Sequence, residues 1–396
     1  MNKTELKTLK LKFSGERRVR GGHPWIFSNE LENIDKTIAP GELCGVLFNS
    51  GAPAGVGFFN PHSLIAVRLL NTDSLELENN FVGARLKRAR DYRKSLGITD
   101  SGRMFFGESD GIPGLIVDKY GDTLVVEIVS AGAELLKEKI TKQLCEIYKP
   151  GGVHYRNTHE FRKLEGLPQY SETAYGIVPE KALITENELQ YEIPLSSGQK
   201  TGWYFDQREN RAFLAPYFRN RKVLDLYTYL GGFALTAAAS GAKTVWGVDS
   251  SATAVELAEK NAALNGLQEK VIFRKEDSER ILGALERGEL PERPDFILLD
   301  PPNFVRSRKS LNQAAKLLVR LNARAMAGLP QDGLLAFSTC SHHISKEIFL
   351  EILTDAAARA HKRVVLMELR AQAKDHPILL NMPETEYLHF ALLKIL

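Results

Sequence analysis

Residues 222–249 read KVLDLYTYLGGFALTAAASGAKTVWGVD. A short apolar run ends beside Asp225 and enters a loop containing Gly231 and Gly232. A helical stretch follows to Ala239, and a second apolar run ends on Asp249. Strand, glycine-bearing loop, helix and strand in that order open a parallel sheet. The alternation continues downstream: KVIFRKED precedes a helix near 278–288, DFILLD one over 311–328, and LLAFSTC one over 345–360. RVVLMELR and YLHFALLKIL then follow without a clear helix between them, which predicts an antiparallel pair at one edge. The C-terminal part is therefore α/β, a mostly parallel sheet with helices on both faces.

Working outward, ENELQYEIPLSSGQKTGWYFDQRENR (186–211) reads as a hairpin running into a helix. Residues 1–72 alternate short β-type runs with Gly and Pro turns, as in GERRVRGGHPWIFSNEL and PGELCGVLFNSGAPAGVGFFN, the pattern of a small β-barrel domain. Residues 73–185 combine a basic helix over 80–96, two strands turning at Tyr120-Gly121-Asp122 and a helix near 132–148, an α+β pattern. The expected domains are 1–72, 73–185 and 186–396.

The 396 residues carry a formal net charge of only +3, so no global basic field announces a nucleic-acid partner. The basic residues are clustered instead. One group includes Arg17, Arg18 and Arg20, a second lies within 81–94, and a third contains Arg306, Arg308 and Lys309 in a stretch (301–324) with no acidic residue. One such cluster reads as a solvated face; three separated clusters fit a track for a phosphate backbone. Three cysteines (Cys44, Cys145, Cys340) are too few and too scattered for a disulfide framework. With no signal peptide and no apolar run of membrane-spanning length, the expected location is the cytoplasm, away from any membrane, with reduced thiols. Cys340, His342 and His343 lack a second cluster of ligands, so no metal is expected.

In open α/β sheets, ligands sit beyond the C-terminal ends of the strands. Those ends offer Asp225, Asp249, Asp277, Asp300 and Cys340. One such aspartate alone is most simply a helix N-cap, but four in register argue for a ligand site. Gly231 and Gly232 allow close approach because no Cβ stands in the way. Asp249 follows Asp225 by 24 residues, close to the spacing of about 20 at which an acidic residue meets a ribose hydroxyl. YLGGFA is not G-x-G-x-x-G, which favours a nucleoside ligand without a pyrophosphate.

VLDLYTYLGGFALTAAASGAKTVWGVDSS resembles the first two motifs of class I S-adenosylmethionine-dependent methyltransferases, and FILLDPPNF and FSTCS resemble their fourth and sixth. The resemblance implies a Rossmann-like domain with S-adenosylmethionine as cofactor. By this likeness the Asp225 loop, with Tyr227, Gly231 and Gly232, holds the methionine part, Asp249 the ribose hydroxyls and Asp277 the adenine amine. WYFDQRENR is similar to the segment before the first motif in RNA methyltransferases, which implies Gln207 and Arg208 at the amino-acid end of the cofactor. Asp300 belongs to both the cofactor set and the catalytic set.

The two prolines of LDPPN stiffen the turn after Asp300; a similar turn grips an exocyclic amine in base N-methylating enzymes, so N-methylation competes at this point. Cys340 tips the balance. Carbon-5 of a pyrimidine is a poor nucleophile until a thiolate adds at carbon-6 and makes the ring an enamine, whereas methylation of an exocyclic amine has no need of a thiol. Cys340 ends the strand next after that of Asp300, so both can flank one flipped base, with Asp300 hydrogen-bonding the cytosine ring nitrogen and amine and supplying a proton. A lone cysteine is otherwise a small buried hydrophobe, the reading kept for Cys44 and Cys145.

The ordered set GERRVRGGHPWIFSNEL, SDGIPGLIVDKYGD, DQRENR, DPPNF and TCS is similar, over nearly the whole chain, to the bacterial 23S ribosomal RNA 5-methylcytosine methyltransferases with an N-terminal PUA domain. That likeness implies a PUA-like RNA-binding role for 1–72. It also implies RNA as partner (23S rRNA or a large-subunit precursor), with Arg17, Arg18, Arg20, Arg306, Arg308 and Lys309 as contacts. An exposed β surface on the first two domains is compatible with a homodimer. Other 5-methylcytosine RNA enzymes place a second cysteine just after the DP of the fourth motif, where this chain has Pro302 and Asn303. A sister group that modifies a guanine nitrogen lacks the sixth-motif cysteine. A base N-methyltransferase and a non-catalytic RNA-binding assembly factor are the competing readings.

Overall fold

A computed structural model describes residues 6–195, 201–305 and 308–396, with Arg308 described for its backbone alone. The chain divides into two compact units. One comprises Met1–Ile184, Ile193–Phe205 and Lys374–Thr385; the other comprises Thr185–Glu192, Asp206–Ala373 and Glu386–Leu396.

The first unit holds two sheets with separate cores. The N-terminal sheet uses β1 (Thr8–Lys10), β2 (Trp25–Phe27), β3 (Leu43–Leu47), β4 (Pro53–Phe59) and β5 (Ile65–Thr72) in the order β1-β3-β4-β5-β2. Its two edge strands are joined just beyond their ends by a bridge between Leu11 and Leu31, which closes the sheet into the expected barrel. Helix α1 (Phe13–Arg20) turns Gly15, Glu16 and Val19 inward.

The second sheet runs β10-β9-β8-β7-β6, from β6 (Ser101–Phe106), β7 (Leu115–Tyr120), β8 (Thr123–Ile128), β9 (Gly152–Asn157) and β10 (Tyr170–Gly176). Helices α2 (Phe81–Ser95) and α4 (Lys137–Tyr148) contribute Leu86, Ile140 and Leu144 to its core, with short α3 (Ala131–Leu135) and α5 (Phe161–Leu164) in the connections. The sequence reading has only β7 and β8 here. SGRMFF and YSETAYG lack clean alternation, and their pairing is supplied by neighbouring strands. A hairpin follows, β11 (Lys181–Glu186) with β12 (Leu189–Pro194).

The second unit is built on α6 (Arg208–Leu214) and a seven-stranded sheet: β13 (Lys222–Leu226), β14 (Thr244–Asp249), β15 (Val271–Lys275), β16 (Phe296–Leu299), β17 (Leu334–Cys340), β18 (Val364–Arg370) and β19 (Leu388–Ile395). Their order is β15-β14-β13-β16-β17-β19-β18. The first five are parallel, and β19 inserts antiparallel between β17 and β18. β16 and the first six residues of β17 are buried on both faces, as expected of central parallel strands with unbroken apolar sequence. The helices are α7 (Gly232–Ala239), α8 (Ala252–Leu264), α9 (Ser278–Glu286), α10 (Leu311–Gly328) and α11 (Lys346–Arg359). On α10 the residues Ala314, Leu318, Leu321 and Ala325 form the buried stripe, at spacings of four, three and four. The strand order reverses at β13, with β14 on one side and β16 on the other, so the ligand crevice of this topology falls there. Two segments from the expected C-terminal domain, 193–205 and 374–385, belong to the first unit. No helix among the described residues is long and apolar enough to cross a membrane.

β17 is anchored by Phe337, whose ring stacks on Phe349 of α11 with centroids 5.2 Å apart and planes 4° apart, both residues fully buried. Phe337→Ala leaves a cavity beneath the strand that bears Cys340. It is expected to lower unfolding stability by about 3–5 kcal/mol in urea titrations.

Candidate active site

The loop after β13 is shaped by Asp225. Its Oδ2 accepts hydrogen bonds from Thr228 Oγ at 2.6 Å and from the Ala234 amide at 3.0 Å. Its Oδ1 is buried with no hydrogen-bond partner among the described residues. Burial pushes the carboxyl up to about 7, and the nearby Asp300 and Asp249 charges act in the same direction. The loop it holds contains Tyr227 at φ 64° and Tyr229 at φ 52°, followed by Gly231 at φ 85°. Two bulky residues in the left-handed region mark backbone held against its preference, a feature that clusters at functional sites. Composition and spacing gave no hint of it.

Asp249 closes the same loop from β14. Its Oδ2 accepts the Tyr229 amide at 3.0 Å and its Oδ1 the Ser251 amide at 2.9 Å. Each carboxylate oxygen has a second lone pair, so these bonds orient Asp249 without exhausting it. Asp277 is exposed and caps α9, Oδ1 accepting the Arg280 amide at 3.0 Å. For this aspartate the simplest sequence reading, a helix N-cap, is realised.

Across the switch point, Asp300 follows β16, and Cys340 ends the adjacent strand β17. Ser338 Oγ donates to Asp300 Oδ1, and Gln207 Nε2 reaches the same oxygen at 3.2 Å and Ser338 Oγ at 3.1 Å. Residues i and i+2 of a strand share a face, so Cys340 sits on the face where Ser338 meets Asp300. Ser338 was not singled out from sequence, although its period-two relation to Cys340 in FSTCS is the signal that finds it. Asn303 Oδ1 accepts the Val305 amide at 2.9 Å and braces the turn after the two prolines.

The three thiols are in different settings. Cys340 is half-buried, whereas Cys44 is fully buried and its thiol is pushed up to about 12 by burial; burial also raises that of Cys145. Beside Cys340, the His342 ring lies 5.3 Å from that of Tyr387, whose hydroxyl donates to Asp206 at 2.7 Å. The α11 N-terminus is capped by Ser345. Arg208 and Arg211 both pair with Glu186, at 3.4 and 2.6 Å, so Arg208 has a structural partner within its unit.

Of the expected RNA contacts, Arg306 lies outside the described residues, as does the Arg308 side chain, and Lys309 is exposed. Arg17 is exposed. Arg18 pairs with Glu30 and lies 4.6 Å over the Phe27 ring, while Arg20 pairs with Glu16 at 3.1 Å and lies 3.8 Å over Phe48. Both side chains are engaged in their own unit. Among the described residues, no group of three or more His, Cys, Asp or Glu could hold a metal ion.

Comparison with known proteins gives a PUA-like domain over residues 9–72 and an S-adenosylmethionine-dependent methyltransferase domain over 150–372. The chain is 34% identical over 389 residues to the ribosomal RNA large subunit methyltransferase I of Pseudoalteromonas atlantica, covering 96% of this chain and 97% of that one. Its counterpart of the same name from Aeromonas salmonicida is 36% identical over 380 residues, covering 94% and 95%. Among solved structures, a putative methyltransferase, SMU.776, complexed with SAH superposes with a TM-score of 0.86 at 20% identity, covering 98% of this chain and 100% of that chain. A putative SAM-dependent methyltransferase from Streptococcus mutans gives 0.84 at 20% identity with the same coverage.

The residues present fit S-adenosylmethionine. Asp225 has a buried carboxylate oxygen without a partner among the described residues, which suits a cationic amino group or the amides of a ligand-closed loop. Gly231 and Gly247 let the Phe273 ring pack against this loop, since an added Cβ would lie 3.0 and 2.5 Å from it. When bound, the cofactor supplies an electrophilic methyl group.

Because the folded-state pKa of Asp225 lies above its unfolded value of about 4, the native protein holds the extra proton between about pH 4 and 7. Its contribution to stability therefore worsens as pH rises through that window. Asp225→Asn, neutral at every pH, is expected to gain melting temperature relative to wild type on going from pH 5 to pH 8 without cofactor. A difference independent of pH would contradict the burial-driven shift.

Proposed function

The chain belongs to the S-adenosylmethionine-dependent methyltransferases with an N-terminal PUA-like domain, and from that premise we propose that it methylates carbon-5 of a cytosine in large-subunit ribosomal RNA through a transient bond to Cys340. The observation behind this reading is the half-buried Cys340 thiol at the tip of β17, on the face where Ser338 meets Asp300. The ribosomal substrate is inferred from the relatives' names.

In this reading the Cys340 thiolate adds to carbon-6 of the flipped base, forming an S–C bond and making carbon-5 nucleophilic. Carbon-5 takes the methyl group as the donor's methyl–sulfur bond breaks, which leaves S-adenosylhomocysteine. The carbon-5 proton then leaves to a base, and the S–C bond to Cys340 breaks to release the 5-methylcytosine and regenerate the thiolate. The sequence reading has Asp300 supplying a proton to the ring. The two donors on its Oδ1 support an acceptor role instead, so we assign Asp300 to the cytosine's exocyclic amine. Gln207, the Asp225 loop and Asp249 hold the cofactor, with Asp277 at its adenine end. The barrel domain, with Arg17 exposed on α1, contributes phosphate contacts that give affinity and orientation. The reaction is assigned to the cytoplasm, where rRNA substrates and reduced thiols coexist.

Cys340→Ala is expected to reduce methyl transfer to the no-enzyme level while S-adenosylhomocysteine still binds in calorimetry; retained turnover would refute the thiol mechanism. RNA containing 5-fluorocytidine cannot lose a carbon-5 proton and should remain covalently joined to wild-type protein in the presence of the methyl donor. Mass spectrometry of digested product should show 5-methylcytidine, and an N-methylated nucleoside would favour base N-methylation.

A further inference from the structure

In the methyltransferase unit, four side chains form a run of hydrogen bonds whose directions follow from its first member, with the Ala371 backbone oxygen holding the second member the same way. It starts at Arg370 on β18. A guanidinium has five N–H donors and no acceptor. Arg370 Nε lies 3.0 Å from Asn210 Oδ1, so the carbonyl oxygen of Asn210 must face the arginine. The Asn210 amide nitrogen then points away, donating to Gln207 Oε1 at 2.7 Å and to the Ala371 backbone oxygen at 3.3 Å. With its oxygen committed to Asn210, Gln207 presents its NH2 group to Asp300 Oδ1 and Ser338 Oγ.

Asn210 and Gln207 are 0% and 1% exposed, so water does not replace a lost partner. Turning the Gln207 amide over would set Oε1 against the Asp300 carboxylate oxygen and leave two nitrogens, on Asn210 and Gln207, facing each other. Arg370 is itself held, 4.6 Å over the ring of Phe213 on the helix that bears Asn210, and 3.5 Å from Glu368.

We infer that Arg370 is a positioning residue that acts through Asn210 to lock the Gln207 amide as hydrogen-bond donor to Asp300. The inference rests on Gln207 and Asp300 belonging to the cofactor site, and is independent of whether the methyl group goes to carbon or nitrogen.

The test measures S-adenosylhomocysteine affinity by calorimetry, methyl transfer to large-subunit ribosomal RNA, and melting temperature. The variants are Arg370→Met, Arg370→Lys, Asn210→Asp, Gln207→Leu and the double variant Asn210→Asp/Gln207→Leu. Asn210→Asp keeps the arginine contact but turns an acceptor toward Gln207. It should lose about tenfold or more in whichever of affinity and rate Gln207→Leu alters, and nothing further once Gln207 is leucine. Arg370→Met should lose less, because the Ala371 oxygen still holds Asn210, and Arg370→Lys should retain most of the wild-type value. An undiminished Asn210→Asp effect in the Gln207→Leu background would reveal a packing role and overturn the relay. Wild-type behaviour of Asn210→Asp, or of Gln207→Leu, would overturn it as well. If Asn210→Asp fails to fold, the comparison of Arg370→Met with Arg370→Lys decides in its place. An N-methylated product would sink the carbon-5 reading while the relay stands.

Discussion

The carboxylate of Asp225, buried at the end of β13, is the constraint around which the methyltransferase unit is arranged. It ties Thr228 and Ala234 to one oxygen and thereby forces the chain through a loop in which two tyrosines adopt positive φ. Such backbone costs roughly 1–3 kcal/mol per residue. Hydrogen bonds to a charged group return about 1.5–3 kcal/mol each, and the second carboxylate, Asp249, adds two more through Tyr229 and Ser251. The loop is therefore set by two acids on adjacent strands, and Gly231 lets it pack closely on Phe273. The raised pKa of Asp225 is the cost of this design, a charge held at low dielectric next to two others.

On the other side of the switch point, rigidity comes from the sheet. β17 is flanked by β16 as far as Phe337 and by β19 along its whole length, so Cys340 extends from a strand paired along both edges and is itself held opposite Leu388 of β19. A group on a doubly paired strand is positioned more accurately than one on a loop. The Phe337–Phe349 stack fixes the strand from below, and Ser338 links it sideways to Asp300. Cys44, buried in the barrel with its thiol at about 12, shows what a cysteine without such a setting becomes.

In the barrel, the arginines of α1 divide their work. Arg18 and Arg20 lie over Phe27 and Phe48 and pair with Glu30 and Glu16, so their charge is spent locally. Arg17 lies on the exposed face of the same helix. A basic run in a sequence is thus a mixture of side chains that hold the fold and side chains that face solvent.

The β/α alternation after residue 222 was legible because central parallel strands must be unbroken apolar runs and their helices must present a stripe at helical spacing; α10 falls at Leu311–Gly328 as expected. The aspartates at the strand ends and Cys340 were legible because this topology leaves strand C-termini as its crevice. Three things were not. β6, β9 and β10 depend on cross-strand partners, and 193–205 and 374–385 join the first unit, the latter from a distant part of the chain. Which aspartate caps a helix (Asp277) and which ties down a loop (Asp225, Asp249) is set by the amides that surround each carboxylate. The link from Arg370 to Gln207 passes through Asn210, which is 160 positions from the arginine. By itself the sequence determined the elements and the chemistry available to them, because periodicity and residue type are local. Only the tertiary structure decided which donor meets which acceptor, because a hydrogen bond is fixed by distance and direction in space, and neither is written in chain order.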